Sequence, residues 1–190
     1  MPVVVVVRHG ETEWSRTGKH TSRTDVALTE RGMRQARALG TRLKERRYAR
    51  VLTSPMRRAR DTCECAGFRG ERLDDLTEWD YGGYEGITTQ EIRNEWPGWS
   101  LWRDGCPEGE NAIEVGSRAD RVIVELRRSG GDVLVFSHGH FLRVLAARWV
   151  GLAPEAGAVL TLDAAAVGEL GYEREQPVIR YWNLTQEGTE

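Results

Sequence analysis

Five consecutive valines at residues 3–7, closed by Arg8-His9-Gly10, constrain this chain more than any other stretch. β-Branched side chains are stiff at χ1 and favour the pleated strand. The run is far too short for a membrane span, which needs about 20 apolar residues. It is apolar at every position rather than at alternate ones, so it reads as a strand covered on both faces, as in a parallel sheet flanked by helices. Open α/β sheets gather their ligand groups at the carboxyl edge of such strands. Here that edge receives a guanidinium, an imidazole, and a glycine that lets the backbone turn or approach a ligand closely.

The chain has 190 residues, enough for one domain with a full core, and residues 1–190 are expected to form a single domain. The formal net charge of −2 provides no global field for nucleic acid, so no nucleic-acid partner is expected. No window of about 18 apolar residues and no secretory leader are present, so a soluble, cytoplasmic protein without a membrane partner is expected. A homodimer stays open. Three cysteines make an odd count, against a disulfide framework, and Cys63-x-Cys65 lacks the second ligand pair of a zinc site. No metal and no cofactor are expected. Asn183-Leu184-Thr185 fits a glycosylation pattern that carries no weight without a secretion signal.

Along the chain, a polar loop runs from Gly10 to Asp25, and its length suggests function. Thr29 caps a helix reaching about Arg46, with Met33, Ala36, Leu39, Gly40 and Leu43 at helical spacing. A strand follows at 49–53, and Ser54-Pro55 reads as a helix start. A third strand is expected at 72–76, then a glycine-punctuated aromatic loop at 78–86, then a short helix opened by the Thr88-x-x-Glu91 capping box. Residues 97–109 read as irregular. Asn111 and Glu114 open a helix that Gly130-Gly131 ends, and residues 132–136 form a fourth buried strand. A helix with Phe141, Leu142, Leu145 and Trp149 inward comes next. Three strands at 158–162, 167–172 and 178–182 and a polar tail complete the chain. This order predicts an α/β fold: a three-layer α/β/α sandwich around a mostly parallel central sheet. Parallel strands would bring Arg8-His9, Ser54 to Arg58, and Ser137-His138 to one sheet edge.

A phosphate monoester at that edge suits these groups. Arg8 and Arg58 can make forked, charge-assisted hydrogen bonds to its oxygens. Helices opening at Ser54 and at Gly139 can aim N–H groups at the same anion, and protonated His138 can add a donor. Neighbouring arginines lower the pKa of His9, leaving a neutral ring able to attack phosphorus. Glu78, among Trp79, Tyr81 and Tyr84, is the candidate proton donor to the leaving oxygen and then the base toward water. Tyr81 and Trp102 are candidate pocket walls, His140, a candidate substrate contact, and His20 are divided between wall and ordinary polar residue, and Arg103 is a candidate contact for a second anion. The bland alternatives are a strand-end histidine at 9, a solvated face for Arg57 and Arg60, and core tryptophans at 96, 99 and 102.

RHGET (8–12), SPMRRARDT (54–62), EWDYGGYEG (78–86) and SHGHFLR (137–143) together resemble the histidine phosphatase superfamily, also called phosphoglycerate mutase-like. RHG alone says little; four motifs in this order are specific. The resemblance implies that His9 is the phosphorylated histidine, that Arg8, Arg58 and His138 hold the phosphoryl group, and that Glu78 is the proton donor. It selects Arg58 over Arg57, because the family arginine directly precedes alanine. It aligns Thr21 and Ser22 with a loop that contacts substrate, and Ser15 with a position where many members have asparagine. EWDYGGYEG, WRDGCPEGE and SHGH look closest to sedoheptulose-bisphosphatase-like and actinobacterial acid phosphatase members. The chain lacks the mutases' basic insertion and longer C-terminal tail. The expected function is therefore metal-independent hydrolysis of small phosphorylated metabolites, sugar phosphates or phosphoglycerate-like, through a phosphohistidine. The alternatives are a phosphoglycerate mutase and a non-catalytic phosphate- or phosphopeptide-binding module.

Overall fold

In the computed structural model, which describes residues 1–185, the valine run lies in the middle layer, with helices on both sides. Strand β1 (Val4–Arg8) alternates its side chains. Val4 and Val6 enter one core and Val5 and Val7 the other. The first core is closed by α6 (Ala112–Arg127) and α7 (Gly139–Trp149), with α4 (Thr89–Glu95) and α5 (Leu101–Asp104) at its side. The second is closed by α2 (Glu30–Leu43) and α3 (Arg57–Cys65).

The six-stranded sheet has the order β3-β2-β4-β1-β5-β6. Strands β2 (Arg50–Thr53), β3 (Glu71–Arg72) and β4 (Val133–Ser137) run parallel with β1. β5 (Val167–Glu173) runs antiparallel to β1, and β6 (Gln176–Leu184) pairs antiparallel with β5. The fold is thus a mostly parallel three-layer α/β/α sandwich.

Register places the site. Arg8 pairs with Ser137 and Thr53 with Phe136, so three strands end at one level. The bonds from His9 N to Ser137 O (3.0 Å) and from Ser54 N to Phe136 O (2.9 Å) carry that alignment one residue beyond the strands.

Several elements differ from the sequence reading. The polar stretch after Gly10 contains a short helix, α1 (Glu13–Thr17), capped by Thr12 and ended by left-handed Gly18. Helix α3 starts at Arg57, not at Ser54-Pro55, because the Ser54 hydroxyl accepts from Met56 N and bonds His138. The third strand is only Glu71–Arg72, and Asp74–Leu76 coils into a 3-10 turn. Residues 97–109 include α5. The strand expected at 158–162 is absent; Pro154–Val159 forms a 3-10 turn, consistent with proline at its start. The polar tail begins later than expected, since residues 183 and 184 belong to β6, and 186–190 lie outside the described residues.

The turn after β1 is fixed from two sides. Gly10 N donates to Thr62 Oγ1 on α3 (3.0 Å), and Glu11 O accepts from Thr29 N, at the N-cap of α2 (2.9 Å). Gly32 in α2 lies so close that a Cβ there would overlap the Glu11 carbonyl oxygen. Backbone cannot yield as a flexible side chain does. Gly32→Ala is therefore expected to lower the unfolding free energy by about 1–3 kcal/mol, measured by urea unfolding. An unchanged midpoint would contradict this close approach.

Candidate active site

His9 leaves β1 with its ring buried. Its Nδ1–H donates to the Gly10 carbonyl (2.8 Å), because a carbonyl can only accept. Nε2 therefore holds the lone pair of the neutral ring. Burial, then the Arg58 and Arg8 guanidiniums, hold the ring well below its ordinary pKa.

Arg8 donates through Nη1 to Leu162 O (2.6 Å), while its buried Nε has no acceptor. Gly139 sits against that guanidinium: a Cβ there would be 3.2 Å from Nε. Arg8 thus brings an unmet donor to the sheet edge.

Arg58 is spent differently from the fork expected on phosphate. Nη2 donates to the carbonyls of Thr21 and Ser22, and Nη1 to that of Thr24, each at 3.1 Å. Nε donates to His138 Nδ1 (3.1 Å). Of five N–H groups, only one on Nη1 is left. The same bonds set His138. Its Nδ1 must accept, so the neutral ring carries its proton on Nε2 and gives it to Ser54 Oγ (2.8 Å). Burial, then Arg58, pushes this ring well below its ordinary pKa, which favours the neutral form over the protonated donor that the sequence reading held open. The rings of His9 and His138 meet edge to face, with centroids 5.2 Å apart.

Glu78 is buried, and its carboxylate is held by backbone donors. Oε1 accepts from Trp79 N (2.9 Å) and Phe141 N (2.8 Å), and Oε2 from His140 N (3.1 Å). The first N–H groups of α7 are therefore directed at this carboxylate rather than at a free anion site. Oε1 is filled by two donors, whereas Oε2 keeps an open position.

A cavity of about 200 Å³ opens on this edge. Arg8, His9, Ser15, Thr21, Glu78, Tyr81, Gly139 and His140 all line it, so eight residues singled out from the sequence share one wall. Arg58 and His138 lie buried directly behind, bonded to each other. Ser22 and Trp102 are not on the wall. Ser22 is buried, its hydroxyl and N–H both bonded to Glu85. Trp102 packs edge-on against Trp79 and His140, under the Arg143 guanidinium. Arg103 pairs with Asp104 on the exposed surface. Trp99 is core and Trp96 exposed. Tyr81 is buried, which pushes its phenol well above the ordinary value, and its hydroxyl is hydrogen-bonded to His140 Nδ1 (2.6 Å).

The sequence reading missed Lys19 and Arg143 on the wall, and His20 lines it too. Arg143 was accessible to spacing: four residues after Gly139, it shares that helix face. Lys19 carried no such signal inside the polar stretch. Among the described residues, no group of three or more His, Cys, Asp or Glu side chains could hold a metal ion, and no helix is long and apolar enough to cross a membrane. The Cys106 thiol is pushed up to about 12 by burial, which makes it inert.

A neutral imidazole with a free Nε2, a guanidinium and a carboxylate with one open oxygen, all from residues lining one cavity, suit phosphoryl transfer. Residues 4–185 match the model of the histidine phosphatase superfamily (branch 1), and the chain belongs to that family. It is 42% identical over 175 residues to an acid phosphatase of Mycobacterium tuberculosis, covering 90% of this chain and 86% of that one. It is 37% identical over 186 residues to the sedoheptulose 1,7-bisphosphatase of Saccharomyces cerevisiae, covering 80% and 68%. The solved structure of an open reading frame of Mycobacterium tuberculosis superposes with a TM-score of 0.93 at 40% identity, covering 97% and 98%.

Buried neutral histidines make stability depend on pH. Unfolded, each ring takes a proton below about 6.5; folded, His9, His138 and His140 do not until well below that. The unfolded chain then binds more protons, so acid destabilises the fold from about pH 6.5 downward. His138→Gln cannot take up that proton. Urea unfolding of this variant between pH 7 and 5 is expected to show a slope shallower by up to about 1.4 kcal/mol per pH unit. An unchanged slope would mean that His138 takes up its proton at the same pH in the folded chain as in the unfolded one.

Proposed function

We propose that this protein is a phosphomonoesterase for small phosphorylated metabolites, working without a metal through a phosphohistidine on His9. The observation that carries the reading is the tautomer of His9: Nδ1–H is tied to Gly10 O, and Nε2 is left unprotonated beside two guanidiniums.

Substrate phosphate, with nearly two negative charges, meets the unmet Arg8 donor and the fixed positive charge of Arg58. His9 Nε2 attacks phosphorus, the P–N bond forms and the P–O ester bond breaks. Glu78 gives a proton to the departing oxygen through Oε2, its open atom. The resulting carboxylate then takes a proton from water, whose oxygen attacks phosphorus. The P–N bond breaks, inorganic phosphate forms, and His9 is neutral again. Guanidiniums stabilise the charge on the equatorial oxygens, the task a metal performs elsewhere. The relatives' names, acid phosphatase and sedoheptulose bisphosphatase, support hydrolysis and a sugar-phosphate class of substrate. We place the protein in the cytoplasm, where its three free thiols would persist.

Hydrolysis of p-nitrophenyl phosphate is expected to continue in chelator and to fall at least about 1000-fold in His9→Ala. Brief mixing with labelled substrate should leave an acid-labile, base-stable phosphoryl label on the wild-type chain. Full activity in His9→Ala, or loss of activity in chelator, would overturn the reading. Isomerisation of a phosphoglycerate faster than phosphate release would make the chain a mutase.

A further inference from the structure

The loop carrying Glu78 is gripped from behind by a side chain that the reaction scheme does not use. Arg118, on α6, is buried, and all five of its N–H groups are engaged. Nη1 donates to the carbonyls of Asp75 (2.8 Å) and Thr77 (2.7 Å), and Nη2 to that of Glu78 (3.2 Å). Nε and Nη2 also form a two-pronged ion pair with Glu110, at 3.0 and 2.7 Å. Glu110 in turn holds the next residues. Its Oε2 accepts from Asp80 N (2.8 Å), and its carbonyl accepts from Trp79 Nε1 (2.8 Å).

The guanidinium also lies over the ring of Phe141, 4.7 Å from its centroid. Phe141 N is one of the two donors that fill Glu78 Oε1; Trp79 N, on the loop itself, is the other. The carboxylate therefore sits correctly only while the loop and the start of α7 keep their relative position. Arg118 touches both. A second arginine of α6, Arg121, is itself exposed and reaches the same loop only through the half-buried Asp75 side chain. Such a surface pair adds little, whereas a buried guanidinium is costly to desolvate and fixes geometry when fully bonded.

We propose that Arg118, locked by Glu110, is the positioning residue for Glu78, setting where its carboxylate meets the leaving oxygen. This rests on the reading of Glu78 as the proton donor. Releasing three loop carbonyls lets the acid drift, and a displacement of about 1 Å costs on the order of 100-fold in rate.

The test is the rate of His9 phosphorylation in a single turnover, with two substrates of different leaving group. Nitrophenolate departs without a proton; the alkoxide of glycerol 2-phosphate needs one. Arg118→Leu is expected to slow phosphorylation by glycerol 2-phosphate about 10- to 100-fold more than by p-nitrophenyl phosphate. Substrate Kd should stay within about twofold, because Arg118 does not line the cavity. Glu110→Gln, which keeps the arginine and loses the ion pair, should shift the same ratio less. It carries the comparison alone if Arg118→Leu fails to fold by circular dichroism. Glu78→Gln is run alongside. Selectivity in Glu78→Gln but in neither clamp variant overturns the positioning role; absence of selectivity in Glu78→Gln overturns the acid role of Glu78, and the clamp with it.

Discussion

Two guanidiniums held at one sheet edge are the constraint on which the rest of this structure depends. Arg58 is fully buried, and Arg8 has a buried Nε without an acceptor. Positive charge in such a place is costly unless every neighbour answers it. The neighbours do so in two ways. Carbonyls of Thr21, Ser22 and Thr24 turn toward Arg58, and this bends the loop over the site. The imidazoles of His9 and His138 give up their second proton, because burial and the adjacent cations both disfavour it. A neutral imidazole with a free ring nitrogen at residue 9 is the by-product of that electrostatic arrangement.

The same loop is tied on its other side by Glu85, which accepts from Ser22 N, Ser22 Oγ and Thr24 N. Arg58 takes the carbonyls and Glu85 the N–H groups of one short segment, so its backbone is satisfied by buried charge rather than by regular structure. The Glu78 loop repeats the design, with Arg118 on the carbonyls and Glu110 on the N–H of Asp80. Two irregular loops, each held by an arginine and a glutamate, therefore flank His9, one residue past the end of β1. Strand register and these two sets of hydrogen bonds set where His9 and Glu78 lie.

Much of this was legible in residue order. The valine run and the punctuation by glycine and capping residues locate β1, α2, α4, α6 and α7, because burial and capping leave local signals. The edge where Arg8, Ser54 and Ser137 meet follows from parallel strands alone. What was not legible depends on long-range partners. Ser54 looks like a helix cap, and only the fold reveals that His138 claims its hydroxyl. Ser22 looks like a substrate contact until Glu85 is placed beside it. Arg58 looks like a phosphate fork until the carbonyls of residues 21–24 arrive. Trp102 shares its three-residue spacing with Trp96 and Trp99, yet it is half-buried under Arg143 while they go to surface and core.

The two histidines are expected to carry their single protons on opposite nitrogens: His9 on Nδ1, facing Gly10 O, and His138 on Nε2, facing Ser54. Nitrogen-15 NMR of the labelled imidazoles at pH 7 reads this directly, through ring nitrogen shifts and their couplings to the carbon-bound protons. Two neutral rings with those opposite tautomers are the predicted result. A His9 ring protonated on Nε2, or on both nitrogens, would have no lone pair to offer phosphorus and would contradict the account.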